Sequence, residues 1–147
     1  IAELTTSKFS HVYVFKTPLA TFPEWKKNLK VHQIVQLWHP DCTCIQLEWF
    51  VGGIHFQRKP WPWVHRKGCE LVEEVTPQLP KGWFTGEGIA KVVRKWLRIH
   101  KDSHKDKAVS KDCIIFAMEL VDTAGAMTPN LMKHFQYALG MQHDGWD

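Results

Sequence analysis

The sequence predicts an α+β domain, with a small antiparallel sheet from the N-terminal half packed against C-terminal helices. Two observations predict this class. The first half contains β-branched and aromatic runs separated by turn residues, and the second half contains long segments with apolar residues at helical spacing. The chain has 147 residues, of which 44% are hydrophobic, so we expect a single domain spanning 1–147.

Five runs in the first half have the composition of strands: 10–16, 31–38, 43–51, 53–58 and 69–75. Turn residues such as Pro40-Asp41 and Gly52-Gly53 separate the second, third and fourth runs by short connections. Such short connections predict an antiparallel meander. Segment 22–29, which contains Pro23, is interpreted as a short helix in the first connection.

The first C-terminal helix is predicted over 86–100 from two opposite faces. The apolar face consists of Ile89, Val92, Val93, Trp96, Leu97 and His100. The basic face consists of Lys91, Arg94, Lys95 and Arg98. Segment 101–108 is interpreted as a polar loop.

Two further helices follow. Ser110 is a candidate N-cap for a helix over 111–122, and apolar residues surround that helix, so we expect it to be central and buried. Thr128 and Pro129 begin a last helix, which is predicted to end near Gly140. Its inward residues are Leu131, Phe135 and Ala138.

The net charge of +4 is unevenly distributed. Segment 91–111 holds eight basic and two acidic residues, whereas the remaining chain holds 11 basic and 13 acidic ones. The basic face of the 91–98 helix can therefore attract an acidic protein or an anionic surface, or it is simply a solvated helix face. Nucleic acid is not the favoured partner.

Cys113 is the main candidate nucleophile. If Ser110 caps the helix, Cys113 lies in the first turn, where unpaired amides and the helix dipole favour a thiolate. A thiolate is the nucleophile of cysteine hydrolases, and a neighbouring His is its usual base. The alternative is a small buried residue without chemistry.

The run Asp112-Cys113-Ile114-Ile115-Phe116-Ala117, after a half rich in strands, resembles the circularly permuted papain-like cysteine enzymes. This group includes the lecithin:retinol acyltransferase-like proteins and the PPPDE peptidases, relatives of the NlpC/P60 hydrolases. Their nucleophile begins a buried helix in a motif similar to Asn-Cys-x-x-Phe-Ala, and their His precedes it on a strand. Asp112 departs from the Asn of that motif, and an adjacent carboxylate opposes thiolate formation.

The resemblance implies a thiol-dependent hydrolase or acyltransferase acting on an amide, isopeptide or ester of a protein, peptide or acyl substrate. Its implied base is His32 in the run VHQIVQLW, with His11 and then His55 as alternatives. A polar residue on the next strand orients the imidazole in this family. Gln46 is preferred to Glu48 for this role, although the strand register leaves the choice open. The amide of Cys113 is the expected oxyanion donor.

Other readings of the sequence give different chemistry. His39, Cys42 and Cys44, with Cys69 or His55 as a fourth ligand, have the residue types of a structural zinc site, although the spacing matches no common zinc motif. A disulfide from Cys69 to Cys42 or Cys44 is also open.

A second alternative is a non-catalytic binding domain that uses the proline-stiffened Trp61/Trp63 loop together with the basic helix. The sequence contains no phosphate-binding loop, no dinucleotide fingerprint, no zincin motif and no serine nucleophile elbow. We therefore predict no nucleotide chemistry, and no cofactor is expected.

Overall fold

The computed structural model describes residues 2–18, 30–50, 53–61, 64, 66–80, 82–99 and 109–145. Within these ranges the helices are α1 (Ala2–Thr6), α2 (Glu87–Ile99), α3 (Val109–Thr123) and α4 (Pro129–Gly145). The strands are β1 (Lys8–Phe9), β2 (His11–Thr17), β3 (His32–Trp38), β4 (Cys44–Phe50), β5 (Gly53–Lys59), β6 (Glu70–Val75) and β7 (Phe84–Thr85). The predicted α+β class is confirmed.

The main sheet has the strand order β5-β4-β3-β2-β6, and every neighbouring pair in it is antiparallel. All five predicted strand runs are present, and β3, β4 and β5 form the predicted meander. The sequence analysis missed α1 and the small β1–β7 pair, because these elements are too short to show a periodic pattern. The predicted helix over 22–29 lies outside the described residues.

Helix α3 is the centre of the helical layer, as its apolar surface predicts. It contacts β3, β4, α2 and α4, and six of its residues are at most 1% exposed: Cys113, Ile114, Phe116, Ala117, Leu120 and Val121. Trp49 of β4 packs against Phe116 and Trp96, with ring centroids 5.8 and 5.1 Å away. Burial of such large aromatic surfaces drives the packing of the helices on the sheet.

Three helix details differ from the sequence predictions. Leu97 was predicted to face inward but is 42% exposed, since it lies at the margin of the α2 apolar face. Helix α3 begins at Val109, so Ser110 lies inside the helix and does not cap it. Helix α4 continues past Gly140 to Gly145, because one exposed glycine costs only about 1 kcal/mol in a helix that is otherwise anchored by packing. His100 and the predicted loop over 101–108 lie outside the described residues.

The sheet has two different faces, because side chains alternate along each strand. We call the side packed on the helices the helix face, and the other side the polar face. Residues of β3 and β4 on the helix face are Gln33, Val35, Leu37, Ile45, Leu47 and Trp49. Polar residues of these strands on the polar face are His32, Gln36, Gln46 and Glu48, all at most 2% exposed.

The β3–β4 ladder covers only part of β3. Its register runs from Val35 paired with Leu47 to Trp38 paired with Cys44. Trp38 O accepts a hydrogen bond from Ser10 N on the β2 side at 2.8 Å. The N–H and C=O groups of even-numbered residues in β3 therefore point toward β2. Those of Val31 and Gln33 point toward the β4 side, where the described β3–β4 ladder has already ended.

Candidate functional site

The polar face of the sheet carries a connected group of buried side chains centred on Glu48. Glu48 accepts hydrogen bonds from His32 Nε2 at 2.9 Å, from Gln46 Nε2 at 3.1 Å and from both terminal nitrogens of Arg66. The Arg66 Nη2 to Glu48 Oε2 distance is 2.6 Å. This paired fork of hydrogen bonds is the strong geometry for an Arg–carboxylate pair, and it satisfies a buried charge that would otherwise be costly.

The electrostatics of Glu48 follow from these contacts. Burial acts to raise its pKa, but the hydrogen bonds from His32 and Arg66, with the positive charge of Arg66, outweigh burial and lower the pKa to about 2. Glu48 is therefore a carboxylate at any physiological pH. Because an ionised carboxylate only accepts hydrogen bonds, His32 Nε2 is the donor of this hydrogen bond.

The His32 imidazole is held by two contacts, and one of its ring nitrogens has no described partner. Its ring stacks on Phe50 of the facing strand, with centroids 4.5 Å apart, and its Nε2 donates to Glu48. Its Nδ1 is fully buried and has no hydrogen-bond partner in the part of the chain that the structure describes. Most buried polar atoms have a partner, so an imidazole nitrogen in this state is unusual.

The direct partner of His32 is Glu48, the residue that the sequence analysis ranked second. Gln46, which it ranked first, lies one hydrogen bond further away. Gln46 donates to Glu48, and its Oε1 accepts from Gln36 Nε2 at 3.0 Å and from Lys59 Nζ at 3.5 Å. The shared face of the two residues was foreseeable, but the residue that meets His32 depends on the register.

Cys113 lies on the opposite side of the sheet from the Glu48 group, in the gap where the β3–β4 ladder has ended. It is the fifth residue of α3, and its Sγ donates to Val31 O at 3.6 Å. Burial raises the pKa of the Cys113 thiol to about 12, reinforced by Asp112, while backbone amides of Gln33, Ile114 and Cys113 oppose the shift. In this arrangement the residue is a protonated thiol.

The structure therefore brings Cys113 next to the backbone on both sides of His32, but not into hydrogen-bond contact with the imidazole. The predicted first-turn position of Cys113 is also wrong, since α3 begins four residues earlier at Val109. The Cys113 amide, which was the expected oxyanion donor, and the Gln33 amide both interact with Sγ.

A second histidine near Cys113 was missed by the sequence analysis. On the helix face, His134 Nε2 of α4 donates to Gln33 Oε1 at 2.7 Å, and Gln33 Nε2 donates to Val31 O at 3.0 Å. Val31 O thus receives hydrogen bonds from both Gln33 and Cys113. Burial, with a contribution from Lys16, lowers the pKa of His134 to about 4, so it is neutral at pH 7. No sequence motif around His134 indicated that it would lie near Cys113.

The two alternative bases are His11 and His55. His11 pairs with Trp38 at the far end of β3, and its Nδ1 contacts Ser10 Oγ at 2.8 Å. His55 is on the exposed strand β5, with its ring edge against Phe50 at 4.6 Å. His55 pairs with Glu48 across the β4–β5 ladder, but neither histidine side chain forms a described hydrogen bond with Cys113 or Glu48.

The predicted zinc ligands do not converge. In the described part of the chain, no three His, Cys, Asp or Glu side chains form a group suited to a metal ion. Cys42 is exposed in the turn after β3, at a positive φ of 71°, whereas Cys44 is buried at the start of β4. All four cysteines are free thiols, so neither of the proposed disulfides is present.

The remaining candidate surfaces are only partly described. Trp61 is 52% exposed, and Trp63 lies outside the described residues. On the basic helix, Lys91, Arg94 and Arg98 are exposed, and Lys95 forms an ion pair with Glu119 of α3. Among the described residues, no helix has the length and apolar character needed to cross a bilayer.

Comparisons with protein-family models, with curated proteins and with solved structures give no match for this chain.

Proposed function

We propose that the protein is a thiol-dependent hydrolase or acyltransferase, in which Cys113 attacks an amide, isopeptide or ester carbonyl and His32 transfers the proton. The observation that carries the proposal is the buried imidazole of His32, fixed at Nε2 by an ionised carboxylate and without a partner at Nδ1 among the described residues. A buried polar atom without a partner costs about 1–3 kcal/mol, which suggests a role for that atom.

Position supports Nδ1 as the atom that serves Cys113. Nδ1 is bonded to the ring carbon that carries Cβ, so it is the ring nitrogen nearer the main chain. The Cys113 thiol contacts that same main chain at Val31 O. Since Cys113 is 1% exposed, substrate access requires an opening at the gap between β3 and β4 and a turn of the imidazole toward Sγ.

The proposed reaction conserves every proton. His32 Nδ1 accepts the thiol proton while Sγ bonds to the carbonyl carbon, and the Gln33 amide donates to the resulting oxyanion. The bond to the leaving group then breaks, and the leaving group takes the proton from His32. Water or an acceptor hydroxyl attacks the thioester and gives its proton to His32, the carbon–sulfur bond breaks, and the proton returns to Sγ. Glu48 stays ionised and stabilises the imidazolium.

One observation favours the alternative of a non-catalytic binding domain. Cys113 is buried, and its raised pKa of about 12 makes it unreactive in the arrangement described. In that alternative the Glu48 group serves only to satisfy a buried charge. The two functions differ in whether Cys113 ever samples a state in which His32 takes its proton.

Alkylation by iodoacetamide at pH 6 and pH 8, read for each cysteine by peptide mass spectrometry, distinguishes them. A thiol of ordinary pKa loses nearly 100-fold in thiolate, and hence in rate, between pH 8 and pH 6. The exposed Cys42 is the reference in the same molecule. For Cys113 we expect a loss below about 10-fold, because an imidazole-paired thiolate persists at pH 6.

His32→Gln should restore the steep pH dependence at Cys113 and leave that of Cys42 unchanged. The ratio of rates at two pH values does not depend on how often the site opens, provided that opening itself is insensitive to pH. A Cys113 profile as steep as that of Cys42 in the wild-type protein would exclude the proposed pair. So would a shallow profile that persists in a folded His32→Gln variant.

A further inference from the structure

A pocket of about 340 Å³ opens on the polar face of the sheet, beside the Glu48 group. Its described lining includes Gln46, Gln57 and Lys59, which lie on the same face of β4 and β5, together with Arg58, Trp61 and Arg66. The volume is at the small end of the range of ligand pockets in proteins. A cavity of this volume can hold a small organic group, whereas a flat protein surface would not enter it.

The ionisable side chains that face the pocket are basic. They are Lys59 and Arg66, and no carboxylate belongs to the described lining. Arg58 also lines the pocket, but it is paired with the helix-face residue Ile45 in the β4–β5 ladder and its Nε lies 3.0 Å from Glu3 of α1, so its charge lies on the helix face. Glu48 compensates the charge of Arg66, so Lys59 supplies the main positive charge, and a cation at a concave surface attracts anions because the low-dielectric wall concentrates its field.

The pocket also contacts the candidate site through two of its own residues. Gln46 forms part of the pocket wall and donates to Glu48, while its Oε1 lies 3.5 Å from Lys59 Nζ. Arg66 lines the pocket and holds Glu48 by its guanidinium fork. A group bound in the pocket would therefore lie one residue away from the carboxylate that orients His32.

We propose that this pocket binds an oxyanion group, a carboxylate or a phosphate, carried on an apolar or aromatic part of the substrate. The inference rests on the proposed function and specifies its substrate class as acidic. Lys59 and the outer edge of Arg66 meet the oxyanion, and the half-exposed indole of Trp61 contacts the apolar part. Carboxylate and phosphate share this recognition chemistry.

The test is a nuclear magnetic resonance titration of the ¹⁵N-labelled full chain, with benzoate, phenyl phosphate and benzyl alcohol as probes. We expect both anions to shift the backbone amides of Gln57, Lys59 and Trp61 in a saturable way, and neutral benzyl alcohol to leave them in place. Stronger binding of benzoate identifies a carboxylate site, and stronger binding of phenyl phosphate a phosphate site.

Two variants assign the site. Lys59→Gln should weaken anion binding about 10-fold, the effect of losing one charge-assisted hydrogen bond. Lys91→Gln removes the same charge from the exposed face of α2 and should leave the affinity unchanged. If Lys59→Gln does not fold, Gln57→Glu takes its place, because it adds a negative charge at an exposed position on the pocket face of β5 and should also weaken anion binding.

The proposal is overturned if the amide shifts lie away from the pocket, if benzyl alcohol binds as tightly as the anions, or if Lys91→Gln weakens binding as much as Lys59→Gln. Because binding is read without any reaction, this result is independent of the alkylation profile of Cys113. An acidic ligand in the pocket with an inert Cys113 would retain the pocket and refute the enzyme. A reactive Cys113 without anion binding would retain the proposed enzyme and refute the anion pocket.

Discussion

Replacing Glu48 by Gln tests the group on which the candidate site depends. The substitution keeps the size of the side chain but removes its charge. It also places an amide N–H₂ where Arg66 or His32 presents a donor, so at least one of the four hydrogen bonds to Glu48 is lost. Arg66 then becomes a partly buried charge without a counterion, which is the costly way to break a buried pair.

The magnitude follows from the pKa of Glu48. A fall from 4.5 to about 2 corresponds to about 3 kcal/mol of interaction that favours the ionised form in the folded protein. Measured losses on breaking buried pairs are also about 3–5 kcal/mol. We therefore expect Glu48→Gln to lower the free energy of unfolding at pH 7 by about 3 kcal/mol, measured by urea denaturation with tryptophan fluorescence.

The loss should also depend on pH in a defined direction. The pKa of Glu48 is lower in the folded than in the unfolded protein, so its stabilisation is complete above the unfolded value of 4.5 and disappears as the pH falls toward 2. The difference between wild type and Glu48→Gln should therefore shrink between pH 5 and pH 2. This comparison cancels the acid effects that the two proteins share.

Glu70→Gln is the matched control, because Glu70 pairs with Lys30 and Lys16 on the exposed edge of the sheet. Solvent screens that pair, so the same substitution should have little effect. The account of Glu48 fails if both variants lose equal stability at pH 7. It also fails if the Glu48→Gln loss is the same at pH 7 and pH 3.

Three further predictions concern the helices. His134, with a pKa lowered to about 4, stays neutral when the unfolded chain takes up a proton, so wild type should lose about 1–2 kcal/mol between pH 6.5 and pH 4 after allowance for partial exposure. His134→Gln should remove that loss. If the unfolding free energies of wild type and His134→Gln, measured by denaturation, depend equally on pH, this account of His134 is wrong. A Cβ at Gly86 would lie 1.9 Å from Leu4 O, so Gly86→Ala should lower the melting temperature strongly or prevent folding, and unchanged melting would refute the close approach. Gly140→Ala has open space in a helix and should stabilise the protein by up to about 1 kcal/mol, whereas a helix ending before this residue predicts no gain.

Much of the fold was predictable from the sequence because its signals are local. Each strand run alternates or is rich in β-branched residues, and the short turns around Pro40 and Gly53 allow only an antiparallel meander. The periodicity of α2 and the all-round apolar surface of α3 likewise predicted which helix is amphipathic and which is central. Helix ends were less predictable, since α3 begins one residue before Ser110 and α4 continues past Gly140.

Some features of the candidate site were likewise predictable from the sequence, and others were not. Cys113, His32 and the pair Gln46 and Glu48 were selected from residue type and order along the chain. Three contacts depend on strand register and helix packing: Glu48 with His32, Glu48 with Arg66, and Gln33 with His134. Each contact joins residues 16 to 101 positions apart in the sequence. A shift of one residue in strand pairing would turn each strand side chain to the other face of the sheet. Residue type and order along the chain thus indicate which groups are available for chemistry, whereas folding brings only some of them together, because contact and burial are properties of the folded chain.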